Sequence, residues 1–276
     1  EKLGNPAADQ AQGPFLNPVE QALATPSDVV TKVCAASYGD LFKQVWGAEA
    51  CDSVNVNMAY DAIALSIAAY EASPEVNSFT SKWDYSLKGA AKLTKLERKG
   101  FALFQGKGQC KSCHLSSGKN ALFTDFSYDN LGLPKNPENP VYNNNPSFID
   151  SGLGGFLASR SDYAAFAGAN KGKHKVPTLR NVDLRPSSDF VKAFGHNGYF
   201  KTLEGIVHFY NTRDVLPACP GDYTEAEALA ENCWPAPEVP EDVNTAELGN
   251  LGLSPAEEAA IVAFLKTLSD GYIPIK

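Results

Sequence analysis

The pentapeptide Cys110-Lys111-Ser112-Cys113-His114 constrains this 276-residue chain more than any other feature. Two thiols two residues apart can both reach the vinyl groups on one porphyrin edge. The adjacent imidazole then turns under the iron. The pattern is therefore the attachment signal for c-type haem. A zinc knuckle would need more Cys or His at short spacing, and none follows. A redox Cys-x-x-Cys pair is disfavoured by the immediate His and by the lack of a βαβ pattern.

Four cysteines remain, Cys34, Cys51, Cys219 and Cys233, in two local pairs. Short-range pairing predicts disulfides 34–51 and 219–233, each worth roughly 3 kcal/mol. Disulfides and a covalent haem both point to a periplasmic or otherwise exported protein. Glu1 opens a polar segment without an apolar signal region, so an export signal is expected to have been removed or to lie upstream. The charge, 24 basic against 32 acidic residues, is −8, which excludes binding to nucleic acid through phosphate contacts. It suits a basic soluble partner. The longest apolar stretch, near Ala62–Tyr70, is too short to span a bilayer.

The pattern predicts a mainly α chain in two parts. Thr25-Pro26-Ser27-Asp28 starts a helix expected to run to Trp46, burying Val29, Val30, Val33, Leu41, Phe42, Val45 and Trp46. A second helix fits 54–72, with Val56, Tyr60, Ile63, Ile67 and Tyr70 at helical spacing. Residues 73–91 read as a connector. Thr94-x-x-Glu97 is a capping box, and Gly100 in the helix it opens leaves room for another helix to approach. Ser254-Pro255-x-Glu257 caps a last helix whose stripe is Ile261, Val262, Phe264, Leu265 and Leu268. A helix before the haem motif and a terminal helix after it are the pair that crosses in a cytochrome c fold. The acidic insert 217–245 reads as a stapled surface loop.

The second iron ligand comes from a short list. Met58, the only methionine, reads as a core filler. His174 sits between Lys173 and Lys175, as in a solvated loop, and His208 falls off the apolar stripe of its helix. Spacing ranks Tyr210, on that stripe, and His196, on a Gly-His-Asn-Gly turn, about equal. A core tyrosine with a satisfied hydroxyl is the bland alternative for Tyr210.

The chain resembles the bacterial dihaem cytochrome c peroxidase family, which includes the MauG-type enzymes. The stretches that carry the resemblance run in family order through nearly the whole chain. They are Gln10-Ala11-Gln12-Gly13-Pro14-Phe15-Leu16-Asn17-Pro18-Val19-Glu20, the haem motif, Asn130-Leu131-Gly132-Leu133-Pro134, Val176-Pro177-Thr178-Leu179-Arg180-Asn181-Val182, and His196-Asn197-Gly198. The resemblance implies two cytochrome c-like haem domains with a calcium ion between them. Residues 1–92 would be the remainder of the N-terminal, peroxide-facing domain, incomplete here, with its haem motif expected before residue 1. Residues 93–276 would be the C-terminal, electron-transferring cytochrome c domain.

The resemblance also assigns roles. Cys110, Cys113 and His114 hold the haem, and Tyr210, fourteen residues after His196, stands at the second iron-ligand position. Peroxidases of the family usually carry Met there and MauG carries Tyr; a phenolate lowers the potential. Gln10 and Glu20 match polar residues beside the peroxide-facing haem, where an acid can shuttle the proton that O–O cleavage needs. Arg180 could pair with a haem propionate. A run at 186–190, inserted before His196 relative to the family, weakens carry-over there. The implied function is reduction of hydrogen peroxide with electrons from a small cytochrome c or cupredoxin. The alternatives are MauG-like oxidation of a Trp or Tyr of a protein substrate, and single-haem electron transfer. A homodimer is compatible with the family.

Overall fold

The computed structural model describes residues 3–274. It is mainly helical, as the sequence pattern predicts. Two compact units divide between Phe79 and Thr80.

The first unit contains α1 (Pro6–Ala11), α2 (Gly13–Leu16), α3 (Pro26–Ala35), α4 (Gly39–Trp46) and α5 (Val56–Glu71). Thr25 and Asp28 cap α3 reciprocally, with Pro26 in the first turn. The single helix expected to reach Trp46 is instead two. Ala36 is extended (ψ 161°), and a Cβ on Gly39 would sit 2.3 Å from the Cys34 carbonyl oxygen, so the chain turns there at close quarters. The Cys34–Cys51 disulfide ties the end of α3 to the turn that follows α4. The break resets the helical phase: Phe42 is buried, but Leu41 and Val45 are 59% and 65% exposed.

Helix α5 packs through small residues. Ala59, Ala62, Ala64 and Ala68 are buried, and Ala64 and Ala68 meet Ala8 and Ala11 of α1. Tyr60 and Ile63 join Val29, Val30 and Phe42 in a second cluster. Tyr70 and Met58 lie exposed, so neither belongs to the core expected of them.

The second unit contains α6 (Lys82–Leu87), α7 (Lys95–Gln105), α8 (Val141–Asn144), α9 (Gly152–Ala158), α10 (Leu203–Thr212), α11 (Glu225–Glu231) and α12 (Pro255–Leu265). Two short strands, β1 (Tyr128–Asp129) and β2 (His174–Lys175), pair antiparallel, Asp129 opposite His174. The capping boxes at Thr94/Glu97 and Ser254/Glu257 start α7 and α12. These two helices pack against each other at Gly100. A Cβ at Gly100 would lie 1.8 Å from the Ala260 carbonyl oxygen, so glycine is required at the contact. Phe104, Phe123, Phe264 and Trp83 form the aromatic core around it.

Two expectations fail here. The connector over 73–91 contains α6, capped by Ser81 and Asp84, whose Trp83 packs on Phe101, Phe123 and Phe264. That packing draws 80–92 into the second unit, ahead of the 92/93 boundary read from sequence. The insert 217–245 is more than a surface loop. The Cys219–Cys233 disulfide staples it, but Ala228, Trp234 and Val239 are buried. Trp234 stands edge-on to Phe209 with centroids 5.1 Å apart. Buried Asn130 donates to the carbonyls of Val239 and Glu241, anchoring the insert's far end.

Candidate haem pocket

Helix α7 delivers the chain to Gly106–Gly108, and Gln109 takes the left-handed conformation (φ 55°) that turns it into the haem motif. A one-turn 3-10 helix over Cys110–Ser112 follows, and the His114 N–H closes back on the Cys110 carbonyl (2.9 Å). The turn puts Cys110, Cys113 and His114 on the wall of one cavity of about 520 Å3, contained in the second unit. Leu133, Val176, Leu179, Phe194, Val207 and Ile261 supply much of its apolar lining.

The imidazole of His114 meets the backbone carbonyl of Phe123, and that of Pro177 also acts on the ring. Its Nδ1 lies 2.7 Å from the Phe123 carbonyl oxygen, and Phe123 holds a left-handed backbone to present it. A carbonyl only accepts, so Nδ1 carries the proton and Nε2 the lone pair, the tautomer an iron ligand needs. Burial lowers the His114 pKa more than the Phe123 carbonyl and Asp125 raise it, and so favours the neutral ring. Cys110 and Cys113 are the two free thiols. Burial pushes Cys110 up to about 12, and burial with the nearby Glu247 and Asp129 carboxylates pushes Cys113 to about 12. Thiols held protonated do not suit a redox centre.

Tyr210 reaches the same cavity from α10, as the apolar stripe of that helix predicts. Among the described residues no protein group hydrogen-bonds its hydroxyl. Burial raises its pKa, as do the neighbouring cysteines and Asp129. Two thiols, a lone-pair imidazole and an unbonded phenol around an apolar slot fit a covalently attached haem c. Cys110 and Cys113 would hold its vinyl edge, and His114 and Tyr210 its iron.

His196 also lines the cavity, and so does His174, which the sequence had set aside as a solvated loop residue. The two rings stack at 3.5 Å between centroids, 6° from parallel. The missed signal is strand alternation. In β2, successive side chains point to opposite faces, so the flanking lysines say nothing about where His174 points. Burial and the neighbouring His174 lower His196 to about 4. His208 lies outside the cavity lining, 3.0 Å from Glu258. Met58 is in the other unit.

Arg180 lines the cavity, and protein partners hold two of its guanidinium nitrogens. Nη1 donates to Asp84 Oδ2 (2.7 Å) and Nε to the Ala121 carbonyl (2.8 Å). Both side chains of the ion pair are nearly inaccessible, 7% and 1% exposed. Sequence reading did not find Asp84, because its capping role in α6 hides its charge role. Gln10 and Glu20 lie in the first unit and are exposed. Glu20 accepts from the Asn17 side-chain amide (2.7 Å) at a turn. Neither residue lines the haem cavity.

A family model described as di-haem cytochrome c peroxidase matches residues 4–92. The methylamine utilization protein MauG of Paracoccus denitrificans (strain Pd 1222) is 33% identical over 273 residues, covering 95% of this chain and 64% of that protein. A cytochrome c551 peroxidase of Nitrosomonas europaea is 31% identical over 202 residues, covering 72% of this chain and 49% of that protein. The crystal structure of the diheme peroxidase BthA from Burkholderia thailandensis superposes with TM-score 0.74 at 28% identity. It covers 96% of this chain and 64% of that one. The chain thus spans less than two thirds of the length of each of these relatives.

Proposed function

Because the chain belongs to the dihaem cytochrome c peroxidase and MauG family, we propose that it takes part in reducing hydrogen peroxide to water. Electrons would come from a small exported donor, a cytochrome c or cupredoxin, and enter through the pocket at Cys110–His114. The observation that carries this reading is the convergence of Cys110, Cys113, His114 and Tyr210 on one apolar cavity. A bound haem c would supply one-electron chemistry there.

The chain's own residues have separable tasks. Cys110 and Cys113 hold the cofactor, and His114, fixed by the Phe123 carbonyl, presents a lone pair. Tyr210 offers an oxygen ligand that favours the oxidised metal. The apolar wall excludes water and keeps the potential sensitive to that choice. Peroxide reduction consumes two electrons and two protons per molecule and yields two waters. Gln10 and Glu20 are proposed to serve that step, Gln10 by holding peroxide or water and Glu20 by moving a proton between the oxygens. The unit that ends at Phe79 would then belong to the peroxide-facing domain, and a calcium ion and a second haem to the complete protein.

A second reading, oxidation of a Trp or Tyr of a protein substrate, is favoured by Tyr210 and by the similarity to MauG over 273 residues. Steady-state assays of the complete haem-loaded protein with peroxide separate the two. Rapid turnover with a reduced cytochrome or cupredoxin supports the first. Negligible turnover with every small donor, together with modification of a Trp or Tyr in a partner, moves the assignment to the second.

A further inference from the structure

One cluster on the cavity wall has no part in this scheme. Asp150, His174 and His196 each offer a ligand atom within 4.8 Å of the others. We propose that they form a binding site for a divalent transition cation of the zinc or copper type. The proposal is independent of the peroxidase reading.

Three observations carry it. First, buried polar atoms here lack partners. His174 Nε2 is buried without a hydrogen bond, and so is Oε2 of Glu238, which lies close enough to act on His174 electrostatically. Such atoms cost free energy unless something is brought to them. Second, the charge is unbalanced. Among the described residues no Lys or Arg forms an ion pair with Asp150 or Glu238. The two lysines that line the cavity are spent on backbone carbonyls: Lys175 on Val176, Lys192 on Asn181 and Leu184. Third, the carboxylates are held in place. Glu238 Oε1 accepts from the Tyr142 hydroxyl (2.5 Å) and the Asp150 N–H (3.3 Å), while Asp150 Oδ1 accepts from Gly152 N–H (3.0 Å). That leaves Asp150 Oδ2 facing His196 Nε2 at 4.0 Å. Gly152, at φ +52°, lets this loop approach, since a Cβ there would meet His174 Nε2 at 3.0 Å.

Two imidazoles and a carboxylate select borderline cations. Calcium asks for six to eight oxygens, which this cluster lacks. The parallel rings cannot both aim a lone pair at one ion, so binding requires one ring to turn. His196 is the one that can. It sits between Gly195 and Gly198, both at positive φ, while strand pairing opposite Asp129 holds His174. His174 also lines a second, shallower pocket with Tyr128 and Phe156, which gives the cluster an approach from outside the haem cavity.

The test uses the haem-loaded protein, in which the motif thiols are consumed in thioether links and cannot compete. The protein is equilibrated with zinc chloride, desalted and assayed for zinc per chain. One zinc is expected, retained against excess calcium. His174→Ala and Asp150→Asn should each weaken binding by at least about tenfold. Should His174→Ala fail to fold, judged by its Soret and circular dichroism spectra, His196→Ala on the exposed turn carries the same expectation. His208→Gln should bind zinc as the parent does. No retained zinc, displacement by calcium, or equal binding by the ligand variants would overturn the proposal.

Discussion

The two units treat their candidate chemistry in opposite ways. In residues 80–274 the groups proposed for the haem lie on one buried cavity, each oriented by a named neighbour: His114 by Phe123, Tyr210 by α10, the motif turn by Gln109. In residues 3–79 the proposed catalytic pair, Gln10 and Glu20, lies on the surface, and the core is built of alanines and a few valines and aromatics. A site that holds a large flat cofactor must be assembled by the fold around it. A proton-moving carboxylate and an amide that holds peroxide need only be offered at a surface, and their pocket can come from elsewhere. The haem assignment rests on geometry within one unit, and the peroxide assignment rests on family pattern.

The largest effect should come from the first unit. Glu20→Gln in the complete haem-loaded protein should slow peroxide turnover by about 10²–10⁴-fold with haem spectra intact. Turnover indifferent to the change would leave Glu20 a surface carboxylate bonded to Asn17 and remove the chemistry assigned to the first unit.

Next in size is the ion pair beneath the pocket. Asp84→Asn leaves the Arg180 charge buried and should destabilise the second unit by about 3–5 kcal/mol. Burial alone raises the Asp84 pKa, but hydrogen bonds from Arg180 and Ser81 and the Arg180 charge outweigh it, and the net shift is below 3.8. Its stabilisation is thus complete above pH 3.8 and is lost as pH falls through the lower folded value. Thermal unfolding followed at the Soret band between pH 2 and 6 should show this acid-side loss in the parent and a weaker one in Asp84→Asn. Identical profiles would count against the pair.

The disulfides should report on the units separately. Replacing Cys34 and Cys51 with Ser, or Cys219 and Cys233, should each cost about 2–4 kcal/mol. The first pair should act on residues 3–79 and the second on the haem-bearing unit, read by hydrogen exchange along the chain. Loss spread equally over both units in either variant would contradict the division at Phe79/Thr80.

How much of this was legible beforehand depends on whether the deciding interaction is local. The caps at Thr25, Thr94 and Ser254 are local, and sequence located the helix starts. Gly100 was legible because a glycine inside an apolar helical stripe has few other uses. The break between α3 and α4 was not. The apolar pattern runs on through Leu41 and Val45, and what stops the helix is a close contact of Gly39 with Cys34. Helix α5 was misread on one face because alanines do the burying there, while Tyr70 and Met58 drew attention by size. Trp234 was lost in an acidic insert, though the disulfide beside it was found. In the pocket, Cys110, Cys113, His114 and Tyr210 were legible from motif and stripe. His174 was hidden by its lysine neighbours, Asp84 by its capping role in α6, and Glu238 by distance along the chain.

The central claim is that the cavity in residues 80–274 holds a haem whose iron is bound by His114 and Tyr210. Optical and EPR spectra of Tyr210→Phe, compared with the parent protein, test it most directly. The account predicts a low-spin, six-coordinate signal in the parent that becomes high-spin or water-ligated when the phenol oxygen is removed. Unchanged spectra would remove Tyr210 from the iron and contradict the account.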